Sequence, residues 1–118
     1  GQATRVELRC PDPACNPCLS LAVCLAAGLD GIEKGMTPPE EVTENIFAMS
    51  PAERQAKGIE ALPGSLEEAL IAMKQDKLVM DTLGRHVSSQ YIAGKEAEWD
   101  EYRTRVSSWE RDKYMMNY

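Results

Sequence analysis

Apolar and charged positions alternate strictly from Arg5 to Cys10, the pattern of a half-buried β-strand. Side chains two apart on a strand share a face, so Arg5, Glu7 and Arg9 line one side and Val6, Leu8 and Cys10 the other. At about 3.3 Å rise per residue, neighbours on the charged side stand roughly 6.5 to 7 Å apart, with a carboxylate between two guanidinium groups. The strand runs into a proline-punctuated turn, Pro11-Asp12-Pro13. Beyond it, Asn16 is a favoured N-cap and Pro17 suits the first helical position. From Cys18 to Lys34 the chain is apolar on nearly all sides, which predicts a buried helix closed by Gly35.

The pattern then breaks. Met36 to Met49 contains Pro38-Pro39 and three glutamates around a few apolar anchors, and reads as an exposed connector. Ser50-Pro51-Ala52-Glu53 starts a short helix running to about Lys57 before Gly58. After the Pro63-Gly64 turn, Ser65 to Glu68 forms a capping box. Leu66, Ala69, Leu70 and Met73 follow at helical spacing. Asp76 caps a short helix through Leu83, ended by Gly84. A last long helix spans His86 to Val106, with Val87, Tyr91, Trp99, Tyr102 and Val106 on one stripe. Ser107 to Glu110 is a further capping box, opening a terminal helix through Tyr114. The tail to Tyr118 is amphipathic and packs either on its own chain or into a partner subunit. The expected fold class is α+β and predominantly helical, with one N-terminal strand, a buried helix and several amphipathic helices. Residues 1–118 make one domain or a piece of one.

Charge narrows the function classes. The net charge is -6 and no basic cluster occurs, so nucleic acid and anionic membrane surfaces are poor partners. The apolar run from Cys18 to Leu29 is too short for a bilayer, and no secretory leader pattern is present, which points to the cytoplasm.

The row Arg5–Glu7–Arg9 has two readings that residues alone leave open. It is either the solvated face of a strand or an anion and metal site. In the second case the arginine forks bind phosphate or carboxylate, and Glu7 offers a hard oxygen donor to a divalent cation. The four cysteines, Cys10, Cys15, Cys18 and Cys24, include a C-x-x-C at Cys15 to Cys18. A zinc or redox role must be weighed there, but a second ligand pair and a βαβ context are both missing, so small buried thiols are the default. His86, the single histidine, has no nucleophile partner nearby and reads as a surface or capping residue.

The run Arg5-Val6-Glu7-Leu8-Arg9, with Pro11-Asp12-Pro13-Ala14 and Asn16-Pro17, resembles the C-terminal signature of bacterial type I glutamine synthetase. The likeness continues through Ala27 to Ile32, Pro38-Pro39, Leu62 to Leu70 and Glu98 to Arg103, in the family's order. The resemblance implies the last quarter of a catalytic domain that ligates ammonia to glutamate with ATP, through a γ-glutamyl phosphate. It implies Glu7 as a ligand of Mg²⁺ or Mn²⁺, Arg9 as the catalytic arginine on glutamate and the phosphoryl group, and Arg5 as a contact to ATP phosphates. The remaining ligands and the nucleotide pocket would lie upstream, so the isolated piece is expected to be inactive. It further implies a double-ring dodecamer gripped by the terminal segment. Two positions depart from the family pattern: Cys18 stands where Tyr is usual, and Phe47 stands where some members carry a modifiable Tyr. The alternatives are a γ-glutamyl ligase for another amine, such as a polyamine, and a non-catalytic helical interaction module.

Overall fold

The computed structural model describes residues 3–5 and 7–115. Five α-helices follow one another: α1 (Pro17–Glu33), α2 (Pro51–Ala56), α3 (Leu66–Gln75), α4 (Lys77–Arg103) and α5 (Ser108–Glu110). A 3-10 turn, Ile46–Ala48, precedes α2, and a single wide turn, Arg111–Met115, follows α5. No strand occurs among the described residues. The expected strand at Arg5 to Cys10 is therefore corrected to irregular chain, with Val6 outside the described residues. A strand is held by its ladder, and the described residues include no neighbouring strand to supply one.

Each helix start is set by the side chain just ahead of it. Asn16 Oδ1 accepts from the amides of Cys18 (3.0 Å) and Leu19 (3.3 Å). Asp76 Oδ1 accepts from the Val79 amide at 3.1 Å. Ser50 with Glu53 and Ser107 with Glu110 form complete capping boxes. Ser65 caps α3 through the Glu68 amide, but the Glu68 carboxylate accepts from Gly64 rather than Ser65, leaving the predicted box half formed.

α4 is the hub, packed against α1 on one side and α3 on the other. At Gly84 its backbone turns non-helical (φ 71, ψ 161), so the helix ends there and restarts, as the sequence indicates. Two side chains among the described residues are buried, Leu70 of α3 and, at 2% exposure, Ser88 of α4. The Ser88 hydroxyl donates to the carbonyls of Gly84 (2.8 Å) and Arg85 (3.3 Å), so its polarity is satisfied within its own turn.

Two packing expectations are corrected. Of the predicted stripe, Trp99 is half-buried as expected, Val87 (38%) and Tyr91 (39%) are partly covered, and Tyr102 and Val106 stay open; the other covered positions of the long segment are Ser88, Ile92 and Lys95. Helix α1, expected to be buried, has no buried residue. Leu19, Val23 and Cys24 are half-covered by α4. Leu21 (70%), Leu25 (65%), Leu29 (50%) and Ile32 (77%) form an open apolar stripe. The chain's surface, 10569 Å², exceeds the roughly 6,400 Å² of a compact protein of this mass. Its radius of gyration, 18.7 Å, likewise exceeds the ~13.5 Å of a closed domain. Too little is packed on α1 to bury it. Among the described residues no helix is long and apolar enough to cross a membrane.

Candidate functional site

The charged row keeps its facing without a strand. Arg9 Nε donates to Glu7 Oε1 at 2.7 Å, a second Arg9 nitrogen lies 2.6 Å from the same oxygen, and an Arg5 nitrogen lies 3.7 Å from Glu7 Oε2. The carboxylate therefore sits between two guanidinium groups, as the i, i+2 spacing predicts. All three side chains remain open to solvent, with Glu7 half exposed. Exposed pairs of this kind contribute only about 0.2–1 kcal/mol. The clamp is weak enough for an incoming cation or anion to displace, and the trio carries one net positive charge.

The loop behind the row is rigid for local reasons. Pro11 and Pro13 fix their φ angles. The Asp12 carboxylate accepts from the Ala14 amide at 2.7 Å, and its carbonyl accepts from Cys15 at 2.9 Å. This Asx-turn delivers the chain into the Asn16 cap of α1. Leu8 and Cys10, both exposed, line an open cavity of about 360 Å³ beside α1 and α4, together with Cys15, Val23, Cys24 and Tyr91. The expectation of small buried thiols is corrected: Cys10, Cys15 and Cys18 are exposed and Cys24 is half-buried, and three of the four line this one cavity. The shared parity of Leu8 and Cys10 was the available signal.

The other candidates lie elsewhere. Cys18 is exposed and is not part of that cavity lining. No disulfide forms among the described residues, and no group of three or more His, Cys, Asp or Glu among them is placed to hold a metal ion. His86 is exposed on α4. Phe47 is fully exposed on its 3-10 turn. A larger cavity of about 620 Å³ lies between α3 and α4, crossed by the Lys74–Glu96 ion pair, and shares no residue with the charged row. Lys95 is held protonated above its ordinary range, chiefly by its hydrogen bond to Glu98, with smaller help from Tyr91 and Asp12.

One carboxylate between two arginines ahead of a helix offers an oxygen donor of the kind hard cations take and N–H donors of the kind phosphoryl oxygens take.

The chain is similar to known proteins over nearly its whole length. Residues 1–114 match the family described as "Glutamine synthetase, catalytic domain". Glutamine synthetase of Clostridium saccharobutylicum is 54% identical over 118 residues, covering all of this chain and 27% of that protein. The Methanosarcina mazei glutamine synthetase is 50% identical over 115 residues, covering 98% of this chain and 26% of its own length. A solved structure described as "Apo GmaS without ligand" superposes with a TM-score of 0.75 at 34% identity, over 92% of this chain and 24% of the other. The chain thus spans about a quarter of the length of the relatives it matches. By this family match over nearly its whole length, the chain belongs to the glutamine synthetase catalytic-domain family.

Proposed function

We propose that this chain forms the C-terminal quarter of a glutamine synthetase catalytic domain and supplies one wall of a cytoplasmic, ATP-dependent glutamate–ammonia ligase. The observation that carries the reading is the Glu7 carboxylate held between Arg5 and Arg9. In the proposed reaction the glutamate γ-carboxylate attacks the γ-phosphorus of ATP and ADP leaves. Ammonia then adds to the acyl phosphate and phosphate departs. Phosphoryl transfer of this kind depends on positioning and on cations placed where negative charge develops.

Arg9, whose fork already binds a carboxylate side-on, would hold the glutamate carboxylate and the transferring phosphoryl oxygens. Arg5 would contact the nucleotide phosphates. Glu7 fits a divalent cation, Mg²⁺ or Mn²⁺, as a single hard ligand: it is half exposed and held only by exchangeable ion pairs. The cation, when bound, supplies charge neutralisation on the phosphates. With one carboxylate in the row, its other ligands must come from outside this chain, so the chain alone is expected to be inactive. The open stripe on α1 is then the face on which the rest of the domain rests, and the aromatic terminal segment the grip between subunits of a double-ring dodecamer. Phe47, exposed but lacking a hydroxyl, leaves no group there for nucleotidyl modification.

The test is Glu7→Gln and Arg9→Lys in the full-length protein, followed by glutamate- and ammonia-dependent phosphate release from ATP. Loss of turnover with an unchanged melting curve is the expected result. Near-normal turnover of Glu7→Gln would make the row a solvated surface. Turnover with a larger amine but not ammonia would reassign the acceptor.

A further inference from the structure

The turn that carries the charged row into α1 hangs on one side chain. Cys10 and Asp12 each precede a proline, which holds them in extended backbone, and Pro11 and Pro13 have fixed φ. Proline leaves ψ free, and at Pro13 it is Asp12 that settles it. The Ala14 amide donates to Asp12 Oδ1 at 2.7 Å, and the Cys15 amide closes the turn on the Asp12 carbonyl at 2.9 Å. Asn16 then caps α1 through the amides of Cys18 and Leu19. Each of these bonds spans two or three residues, so the support needs nothing from outside residues 12–19.

Glu7 and Arg9 lie on the other side of that turn. The ion pairs of Arg5, Glu7 and Arg9 run within the row, so they hold its members together without fixing their bearing on α1. The segment from Arg9 to Asp12 is a lever of up to about 10 Å, so a tilt of roughly 6° at the turn moves Arg9 by about 1 Å. A misplacement of that size in a group that contacts the reacting atoms costs on the order of 100-fold in rate. Lys95 of α4, kept protonated chiefly by Glu98, feels the Asp12 charge as well. A solvent-screened charge sets no direction, however, whereas a hydrogen bond does.

We propose that Asp12 is a positioning residue for the ligase reaction: by accepting from the Ala14 amide it fixes the turn that sets the bearing of Glu7, for the divalent cation, and of Arg9, for glutamate and the phosphoryl group. The role rests on the ligase reading above, and the experiment separates the two.

The full-length protein is made with Asp12→Ala, Asp12→Asn, Glu7→Gln and the double variant Asp12→Ala with Glu7→Gln. Each is read by melting without metal, by Mn²⁺ titration under electron paramagnetic resonance, and by steady-state kinetics. Asp12→Ala should weaken Mn²⁺ binding and raise the half-saturating glutamate concentration, each on the order of 10- to 100-fold. A change that merely destabilised the protein would lower the active fraction and leave both half-saturation values in place. Asp12→Asn keeps the Oδ1 acceptor and the Asx-turn without the charge, and should restore both values. Asp12→Ser, a weaker acceptor at the same turn, should fall between the two and serves where Asp12→Ala fails to fold. In the Glu7→Gln background, Asp12→Ala should add little further loss of Mn²⁺ affinity, because it acts through Glu7. An Asp12→Asn as impaired as Asp12→Ala would assign the role to the charge and overturn the proposal. Asp12→Ala and Asp12→Ser with the parent's values, beside an inactive Glu7→Gln, overturn the role of Asp12 alone. Near-normal turnover and Mn²⁺ affinity in Glu7→Gln overturn the ligase reading itself.

Discussion

Gly84→Ala separates a broken α4 from a continuous one, because the two geometries predict opposite signs. In the fold, Gly84 lies at φ 71, ψ 161, a region that only glycine enters freely. An added Cβ would meet nothing within 4 Å. No clash contributes, so the cost is that of the backbone alone, about 1–3 kcal/mol. In an uninterrupted helix the same change would stabilise by roughly 0.5–1 kcal/mol, since alanine loses less backbone entropy than glycine. Thermal and urea melts of the chain, followed by far-UV circular dichroism, read the difference directly. At about 4 °C per kcal/mol for a chain of this size, the melting temperature should fall by roughly 4–12 °C. A rise, or a midpoint unchanged within error, would refute the break at Gly84 and with it the separate placing of the two halves of α4.

Two further outcomes follow from packing and caps. Leu70→Ala removes the one buried apolar side chain among the described residues and should cost about 2–5 kcal/mol; a shift below 1 °C in the same melts would mean that the α3–α4 contact is loose. Acid should weaken the starts of α2 and α5. The Ser50 hydroxyl and then its amide hold Glu53 below its ordinary 4.5, and the Ser107 amide and then its hydroxyl do the same for Glu110. Because the folded values are the lower ones, these contributions are complete above pH 4.5 and fade as pH falls through the folded values. A dichroism titration should show this helix loss, and Glu53→Gln with Glu110→Gln should flatten it; an unchanged titration would assign it to other carboxylates.

Local chemistry was the legible part of this sequence. Asn16, Ser50, Ser65, Asp76 and Ser107 announce helix starts because capping is settled within three residues. Gly84 announces a stop for the same reason. The alternation Arg5 to Cys10 conveyed the right facing of the charged row but the wrong element. Facing follows from side-chain parity, whereas a strand also requires a partner strand. On α4 the sequence signals Trp99 but not Ser88, which looks polar, while its hydroxyl is bonded to its own turn and its small size permits close packing. The burial of α1 was over-read for a different reason. Its composition records the environment it is suited to, and these residues alone do not provide that cover. Of the site, the trio could be seen from spacing, but the cavity behind it depends on how the loop lies along α1.

The side-chain caps have a consequence for how such a chain tolerates change in length. Each helix carries its start signal with it, two or three residues from the amides it satisfies. Lengthening the connector between Met36 and Met49 would therefore displace elements without unmaking them. Doubling a flexible segment adds only about 0.6 kcal/mol of closure entropy. The loop between Arg9 and Asn16 has no such freedom. Its turn, its cap and the bearing of Glu7 are set by consecutive residues, so a single insertion there would re-aim the charged row while leaving every helix intact.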